Sequence, residues 1–206
     1  MDLSRLFSTE IYRVSLTPAR GNARLNADLV QTALMFAEED RAGQSWCDQH
    51  DFEGYTSYAS LDDLPRRATC FADLSRQISK HAGAFAEALE MDLAGQKLVL
   101  DDLWVSVLNP GGGHAGHIHP RSIISGTYYA ALPLKGARIR FEDPRLAMMM
   151  AAPQPLENSR PEHRRFIYLE PEVGELLMWE GWLRHEVPPS RGQEFRVSVS
   201  FNFGCR

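Results

Sequence analysis

The hydrophobic rhythm of the chain changes once, near residue 97. Before that point apolar residues recur at helical spacing. Leu29, Val30, Ala33, Leu34, Phe36 and Ala37 fall along one side of a 3.6-residue period, and Asn26 stands where it would cap the helix they define. Phe71, Leu74, Ile78, Phe85 and Leu89 mark a second helix over about 71–93, and that stripe reads as a packing face. A short alternating run from Thr9 to Leu16 predicts an opening strand, ended by Pro18 and Gly21. Trp46 to Ser60 shows no period and reads as a loop, and Asp62 to Arg67 as a charged, solvated connection.

After Lys97 the pattern becomes short strands and turns: Leu98–Leu108, Ile123–Leu132, Ala137–Phe141, Phe166–Leu169, Glu175–Trp179 and Phe195–Phe203. Such runs with no long helix between them predict an antiparallel sandwich or barrel, with the two helices packed on one face. The last run alternates strictly. Arg196, Ser198, Ser200 and Asn202 share one face, and Val197, Val199, Phe201 and Phe203 the other. Its polar face meets either solvent or a polar barrel lumen. Arg145 to Arg165 is the least regular stretch, read as a substrate loop or as a plain surface excursion. Met148 to Met150 within it would suit contact with a second subunit.

Composition narrows the class. With 44% hydrophobic and 24% charged residues the chain is globular rather than disordered, and a net charge of −5 argues against a general nucleic-acid binder. No apolar run approaches the roughly 20 residues of a membrane helix, and the start lacks the pattern of a signal peptide. Cys47, Cys70 and Cys205 are odd in number and widely spread, as expected of reduced thiols in a cytoplasmic protein. We expect one domain over 1–206, with an N-terminal strand and helices over 1–96 and the β core over 97–206.

The chemistry concentrates in Asn109-Pro-Gly-Gly-Gly-His-Ala-Gly-His-Ile-His-Pro-Arg-Ser122. His117 and His119 are two apart, so an extended backbone projects both rings to one face. Two imidazoles from one strand make two-thirds of a facial metal site, unless both are ordinary loop histidines. His114 is off that spacing and is an outer candidate. His50, His81 and His163 read as structural or exposed, and Trp179 and Trp182 as packing residues beside a site. His185 lies eleven residues before Arg196 across the turn-rich Pro188-Pro-Ser-Arg-Gly192, so adjacent antiparallel strands would bring the two together. His185 would then meet His117 and His119 across a small barrel.

An early His-x-His, a late His and an Arg-x-Ser about ten residues further on resemble the Fe(II)/2-oxoglutarate-dependent oxygenases, whose fold is a double-stranded β-helix (jelly roll). The local likeness is to a small branch with an H-x-H-P…S-G-x-Y-Y signature. It is carried by His117-Ile-His-Pro-Arg-Ser122, Ser125-Gly-Thr-Tyr-Tyr129, Phe141-Glu-Asp-Pro-Arg145, Trp182-Leu-Arg-His185 and Arg196-Val-Ser-Val-Ser-Phe-Asn202. The resemblance implies a mainly β fold with N-terminal helices, Fe(II) and 2-oxoglutarate as cofactors, and oxidation of a prime substrate coupled to formation of succinate. It implies His117 and His185 as iron ligands. His119 stands where most of the superfamily has Asp or Glu, so the third ligand is His119 or a nearby carboxylate, Glu142 or Asp143, and we favour His119. Arg196 would hold the distal carboxylate of 2-oxoglutarate with help from Ser198. Tyr128 and Tyr129 have opposite parity, so only one reaches the co-substrate; analogy favours Tyr128.

Two other readings compete. A cupin-type three-histidine metalloenzyme would explain Gly111 ahead of the His pair, but the glutamate of that motif is absent and Arg196-x-Ser198 has no use there. A non-catalytic jelly-roll binding module is the other. The prime substrate, a small molecule or a protein side chain, is not written in the sequence.

Overall fold

A computed structural model describes residues 2–4, 6–16 and 22–206. The expected stop at Pro18 and Gly21 lies outside the described residues. The opening strand β1 (Tyr12–Ser15) is followed by four helices, α1 (Asn22–Glu39), α2 (Arg41–Gln49), α3 (Leu64–Arg67) and α4 (Thr69–Ala88), with a short strand β2 (Gly54–Thr56) between α2 and α3. Eight further strands complete the chain: β3 (Leu98–Leu108), β4 (His114–His117), β5 (Ile124–Ala131), β6 (Ile139–Glu142), β7 (Phe166–Leu169), β8 (Glu175–Glu180), β9 (His185–Val187) and β10 (Arg196–Cys205).

All pairings are antiparallel, in two sheets. The larger runs β1-β8-β5-β10-β3-β2 and the smaller β4-β9-β6-β7. The alternation of β10 decides which face goes where. Val197, Val199, Phe201 and Phe203 are fully buried and share one core with Leu29, Ala33, Phe71, Leu74 and Ile78 of the long helices α1 and α4. Each of these side chains larger than alanine contributes roughly 1.5–3 kcal/mol by leaving water. The opposite face is not in solvent: Arg196, Ser198 and Asn202 are buried as well, between the sheets. A second apolar cluster, Tyr129, Ile139, Phe141, Leu177, Trp179 and Leu183, fastens the two sheets together.

Four expectations for the helical half change. Asn26 does not cap α1 but sits inside it, where its side chain donates to the Ala130 carbonyl and accepts from the Tyr128 hydroxyl (2.8 and 2.9 Å). The region expected to be loop, Trp46 to Ser60, holds the end of α2 and strand β2. Its helix is started by Asp40, which accepts from the Gly43 amide and from the hydroxyls of Tyr55 and Ser60. A Cβ at Gly43 would fall 2.4 Å from Asp40 Oδ2, so glycine is what lets this carboxylate close over the helix end. Part of Asp62 to Arg67 is α3 rather than free connection, and α4 stops at Ala88, short of Leu93. Single-turn and non-periodic elements carry too few apolar positions to show a period.

The stretch from Arg145 to Arg165 contains only two short 3-10 turns, Leu146–Met148 and Pro161–His163, with Met148 and Met150 exposed. Among the described residues no helix is long and apolar enough to cross a membrane.

Candidate metal centre

The ladder between β4 and β9 places His117 directly opposite His185, and their ring centroids lie 4.4 Å apart. His119 lies just past the end of β4, where its amide donates to the Gly181 carbonyl and its ring returns to the same space. Its Nε2 is 3.3 Å from His185 Nε2, and a ligand atom from each of the three rings lies within 4.8 Å of the other two. The expected His117, His119 and His185 therefore converge, though not as foreseen. His185 belongs to the smaller sheet and is not on a strand beside Arg196; the two meet because the sheets face each other across one cavity.

Local hydrogen bonds orient two of the rings. His117 Nδ1 lies 2.8 Å from the Ala115 carbonyl and His185 Nδ1 2.9 Å from that of Leu183. A carbonyl only accepts, so in the neutral rings these Nδ1 atoms carry the proton and Nε2 keeps its lone pair for a ligand. Burial, reinforced by mutual repulsion, holds the cluster neutral. It pushes His119 down to about 4 and His185 to about 3, and lowers His117 too. Neutral imidazoles with converging lone pairs suit a transition-metal ion.

No carboxylate joins them among the described residues. Glu142 faces Arg184 at 3.2 Å, and Asp143 is bound by the Arg145 guanidinium and amide at 2.8–3.0 Å. Both alternatives for the third ligand are thus turned to arginines. His114, the outer candidate, lies 4.3 Å from His117 ring to ring and lines the same cavity, and burial pushes it down to about 4.

The cavity has an empty volume of about 550 Å3 including its open mouth, and it runs from Phe52, Trp104 and His114 past the three histidines to Ser198 and Arg196. Arg196 is only 4% exposed, and no salt bridge among the described residues reaches it. One Nη1 bond goes to the Arg138 carbonyl (3.2 Å), while Nε has no partner. Burial lowers its pKa, yet a guanidinium stays charged in a protein. Its head lies 5.1 Å over the Tyr129 ring, whose hydroxyl also has no partner. A buried, unpaired cation beside an orphan hydroxyl costs several kcal/mol unless an anion completes it. Ser198 shares its face and lines the cavity.

Tyr128 is the one expected site residue that the structure keeps out of the cavity. It points to the helices, packed in their core, with its hydroxyl donating to Asn26 Oδ1. Tyr129, pairing with Ser198 in the ladder, takes the inner face. The signal was available: Ser125 and Thr127 are small polar residues on alternate positions of the same strand, and their face continues to 129. Trp104, stacked on His119 at 5.9 Å, and Trp179, 4.6 Å from His185 with its Nε1 unpartnered, also line the cavity. Trp182 is 44% exposed and does not line it.

Comparisons with known proteins agree with this geometry. Residues 102–202 match the family model described as "Putative 2OG-Fe(II) oxygenase". Among curated proteins no sequence match is found. A prolyl-4-hydroxylase of Pseudomonas putida, 16% identical, superposes over 97% of this chain and 94% of its own with a TM-score of 0.60. The epimerase SnoN of nogalamycin biosynthesis, solved with Fe3+ and alpha-ketoglutarate, superposes over 95% and 79% with a TM-score of 0.61 at 12% identity. Against an oxidoreductase of the same family from Burkholderia pseudomallei the chain spans 46% of that protein's length, at a TM-score of 0.40. The fold is the double-stranded β-helix of the prolyl-4-hydroxylase and SnoN structures, as the resemblance implied. The matched segment contains all three converging histidines and Arg196, so residues 102–202 form a 2-oxoglutarate/Fe(II) oxygenase domain of the kind that family model describes.

Proposed function

We propose that the protein is a 2-oxoglutarate- and Fe(II)-dependent dioxygenase in which His117, His119 and His185 hold the iron and Arg196 holds the co-substrate. The observation that carries this is the pairing, across one cavity, of three neutral convergent imidazoles with a buried guanidinium that has no anion. Bound there, iron(II) and 2-oxoglutarate supply the oxidising chemistry, activation of dioxygen coupled to decarboxylation of 2-oxoglutarate to succinate.

The residues themselves bind, orient and shield. The ring orientations set by Ala115 and Leu183 keep Nε2 lone pairs aimed inward without rearrangement. Arg196 takes the distal carboxylate of 2-oxoglutarate through its planar fork, and the hydroxyls of Tyr129 and Ser198 complete that end. The sequence-based choice of Tyr128 is replaced by Tyr129 here. Trp104, Trp179 and Ile139 exclude water from the walls, which strengthens every charge interaction inside. With His119 in place of a carboxylate, the holo site carries one more positive charge than the usual triad of the family.

The prime substrate is a small molecule or a protein side chain, and the protein is placed in the cytoplasm, in keeping with the free thiols of Cys47, Cys70 and Cys205. The test is an anaerobic titration of 2-oxoglutarate into Fe(II)-loaded protein, read by the visible charge-transfer band of the chelate. A band that weakens in Arg196→Ala is expected. Stoichiometric iron with no band would overturn the reading in favour of a three-histidine metalloenzyme that does not use 2-oxoglutarate, or of a silent binding module.

A further inference from the structure

The cavity is lined by Phe52 from the segment between Arg41 and Arg66, and beside Phe52 rings form a continuous series. Trp104 stacks on His119, Tyr58 meets Trp104 edge-on at 5.2 Å, and Trp46 meets Tyr58 edge-on at 6.5 Å. Phe52 joins the same group, 6.5 Å from Trp46 and 6.0 Å from His114. Packing leaves Tyr58 59% exposed, while Phe52 and Trp46 are half-buried and one face of Trp46 is covered by His50, stacked at 4.1 Å. Beside the metal centre lies an aromatic rim in which Trp46 comes from α2, and Phe52 and Tyr58 from the connections on either side of β2.

Charge along this rim has one sign. Residues 42–65 contain no lysine or arginine and five carboxylates. Three of these, Asp48, Asp51 and Glu53, are exposed and in no ion pair among the described residues. Two flank Phe52, whose side chain lines the cavity, and Glu53 lies against the glycine loop ahead of His114, where a Cβ at Gly112 would come within 3.2 Å of Glu53 Cβ. Three arginines on and beside the smaller sheet are paired: Arg184 with Glu142, Arg140 with Glu186, and Arg145 with Asp143. Inside, by contrast, the lining contains Arg196 and four histidines and no carboxylate. A cation is therefore welcome at the mouth and unwelcome within.

We propose that this rim, formed by Trp46, Phe52 and Tyr58 with Asp51 and Glu53, binds a basic side chain, lysine or arginine, of a polypeptide substrate. The inference rests on the dioxygenase reading, because it assigns the prime substrate of that same cavity. Aromatic faces attract ammonium and guanidinium groups, and nearby carboxylates add to that attraction. The alkyl stem of such a residue can enter an apolar passage while its charged head stays in water. Exposed Ile118 and Trp182 offer further apolar surface beside the histidines, suited to the flanking residues of a chain more than to a lone amine.

The test uses the whole chain without added metal, so that it succeeds or fails separately from the chelate band. Fluorescein-labelled peptides of glycine and serine with one central lysine, or one central arginine, are titrated by fluorescence anisotropy. Norleucine, citrulline and glutamate peptides serve as comparisons. The basic peptides are expected to bind at least about tenfold more tightly than the uncharged ones. The double variant Asp51→Asn, Glu53→Gln and the variant Tyr58→Ala are each expected to lose most of that preference, while Tyr58→Phe keeps it; thermal melts check that each variant is folded. Equal binding of the norleucine or citrulline peptide, tighter binding of the glutamate peptide, or an unchanged preference in folded Tyr58→Ala and in the carboxylate variant would overturn the proposal. Competition by free lysine as strong as by the lysine peptide would also overturn it, pointing to a small amine.

Discussion

His117 and His185 are ladder partners: the two residues oppose each other between β4 and β9, with their rings inclined at 56° and their Nδ1 atoms each tied to the carbonyl two residues back. Two ligands of the candidate centre are thus fixed by main-chain pairing, and only the third, His119, depends on a turn. That makes His119 the position to vary. His119→Ala is expected to weaken Fe(II) binding by at least about tenfold, whereas His119→Asp, which restores a carboxylate, retains it. Metal competition titrations on the three proteins measure this. Undiminished affinity in His119→Ala would mean that another group completes the site.

Arg196 gives the second prediction. Charge-assisted hydrogen bonds from a bidentate guanidinium contribute about 1.5–3 kcal/mol, so Arg196→Ala is expected to weaken 2-oxoglutarate by roughly 10- to 100-fold. Arg196→Lys keeps the charge but not the fork and should fall between. The anaerobic chelate band, followed against 2-oxoglutarate concentration, gives the dissociation constants.

The two adjacent tyrosines separate stability from binding. Tyr128→Phe removes a hydrogen bond to Asn26 inside the helix-packed core and is expected to cost about 1 kcal/mol of stability with no change in 2-oxoglutarate affinity. Tyr129→Phe removes a hydroxyl that has no protein partner, so stability should hardly move while 2-oxoglutarate affinity falls several-fold. Denaturant melts and the same titration, run on both variants, would refute the assignment if the effects were exchanged.

Acid should destabilise the metal-free protein. The folded values of His119 and His185, about 4 and about 3, lie below the ordinary 6.5, so the unfolded chain binds more protons in the interval. Stability is complete above about pH 6.5 and falls as pH drops toward 3. For the buried His185 the slope is about 1.4 kcal/mol per pH unit. Urea unfolding between pH 7.5 and 4.5 measures the trend, and a flat profile would contradict the burial of these rings as neutral groups.

Gly126, from the Ser125-Gly-Thr-Tyr-Tyr129 signature, provides a packing test. A Cβ there would fall 2.4 Å from Phe201 Cζ and 2.5 Å from the Leu177 carbonyl oxygen. Gly126→Ala is therefore expected to cost about 1–3 kcal/mol, read as a lowered melting temperature. An unchanged melting temperature would show that the signature glycine is not there for backbone approach.

How much of this was legible in the chain follows from which contacts are local. Strand β3 and the alternation of β10 could be read directly, because a period of two needs only a residue and its neighbours. The same holds for the helical stripe of Phe71, Leu74 and Ile78, and for the His117 and His119 spacing. Where the polar face of β10 points could not be read: solvent and lumen impose the same alternation, and only the second sheet above it buries Arg196 and leaves it unpaired. Parity separated Tyr128 from Tyr129, and the polar positions Ser125 and Thr127 marked the face of Tyr129, but that this face is the inner one was settled by pairing. The ladder with β10 decided that, after a register shift next to Val197. Strands of three or four residues, such as β2, β4 and β9, have no period of their own and exist through their partners. The sequence thus determined the ligand types and their spacing, since these are properties of one strand. The meeting of His185 with His117, the burial of Arg196 and the approach of Trp46, Phe52 and Tyr58 to Trp104 and His114 were decided by tertiary structure, because each depends on packing between segments far apart in the chain.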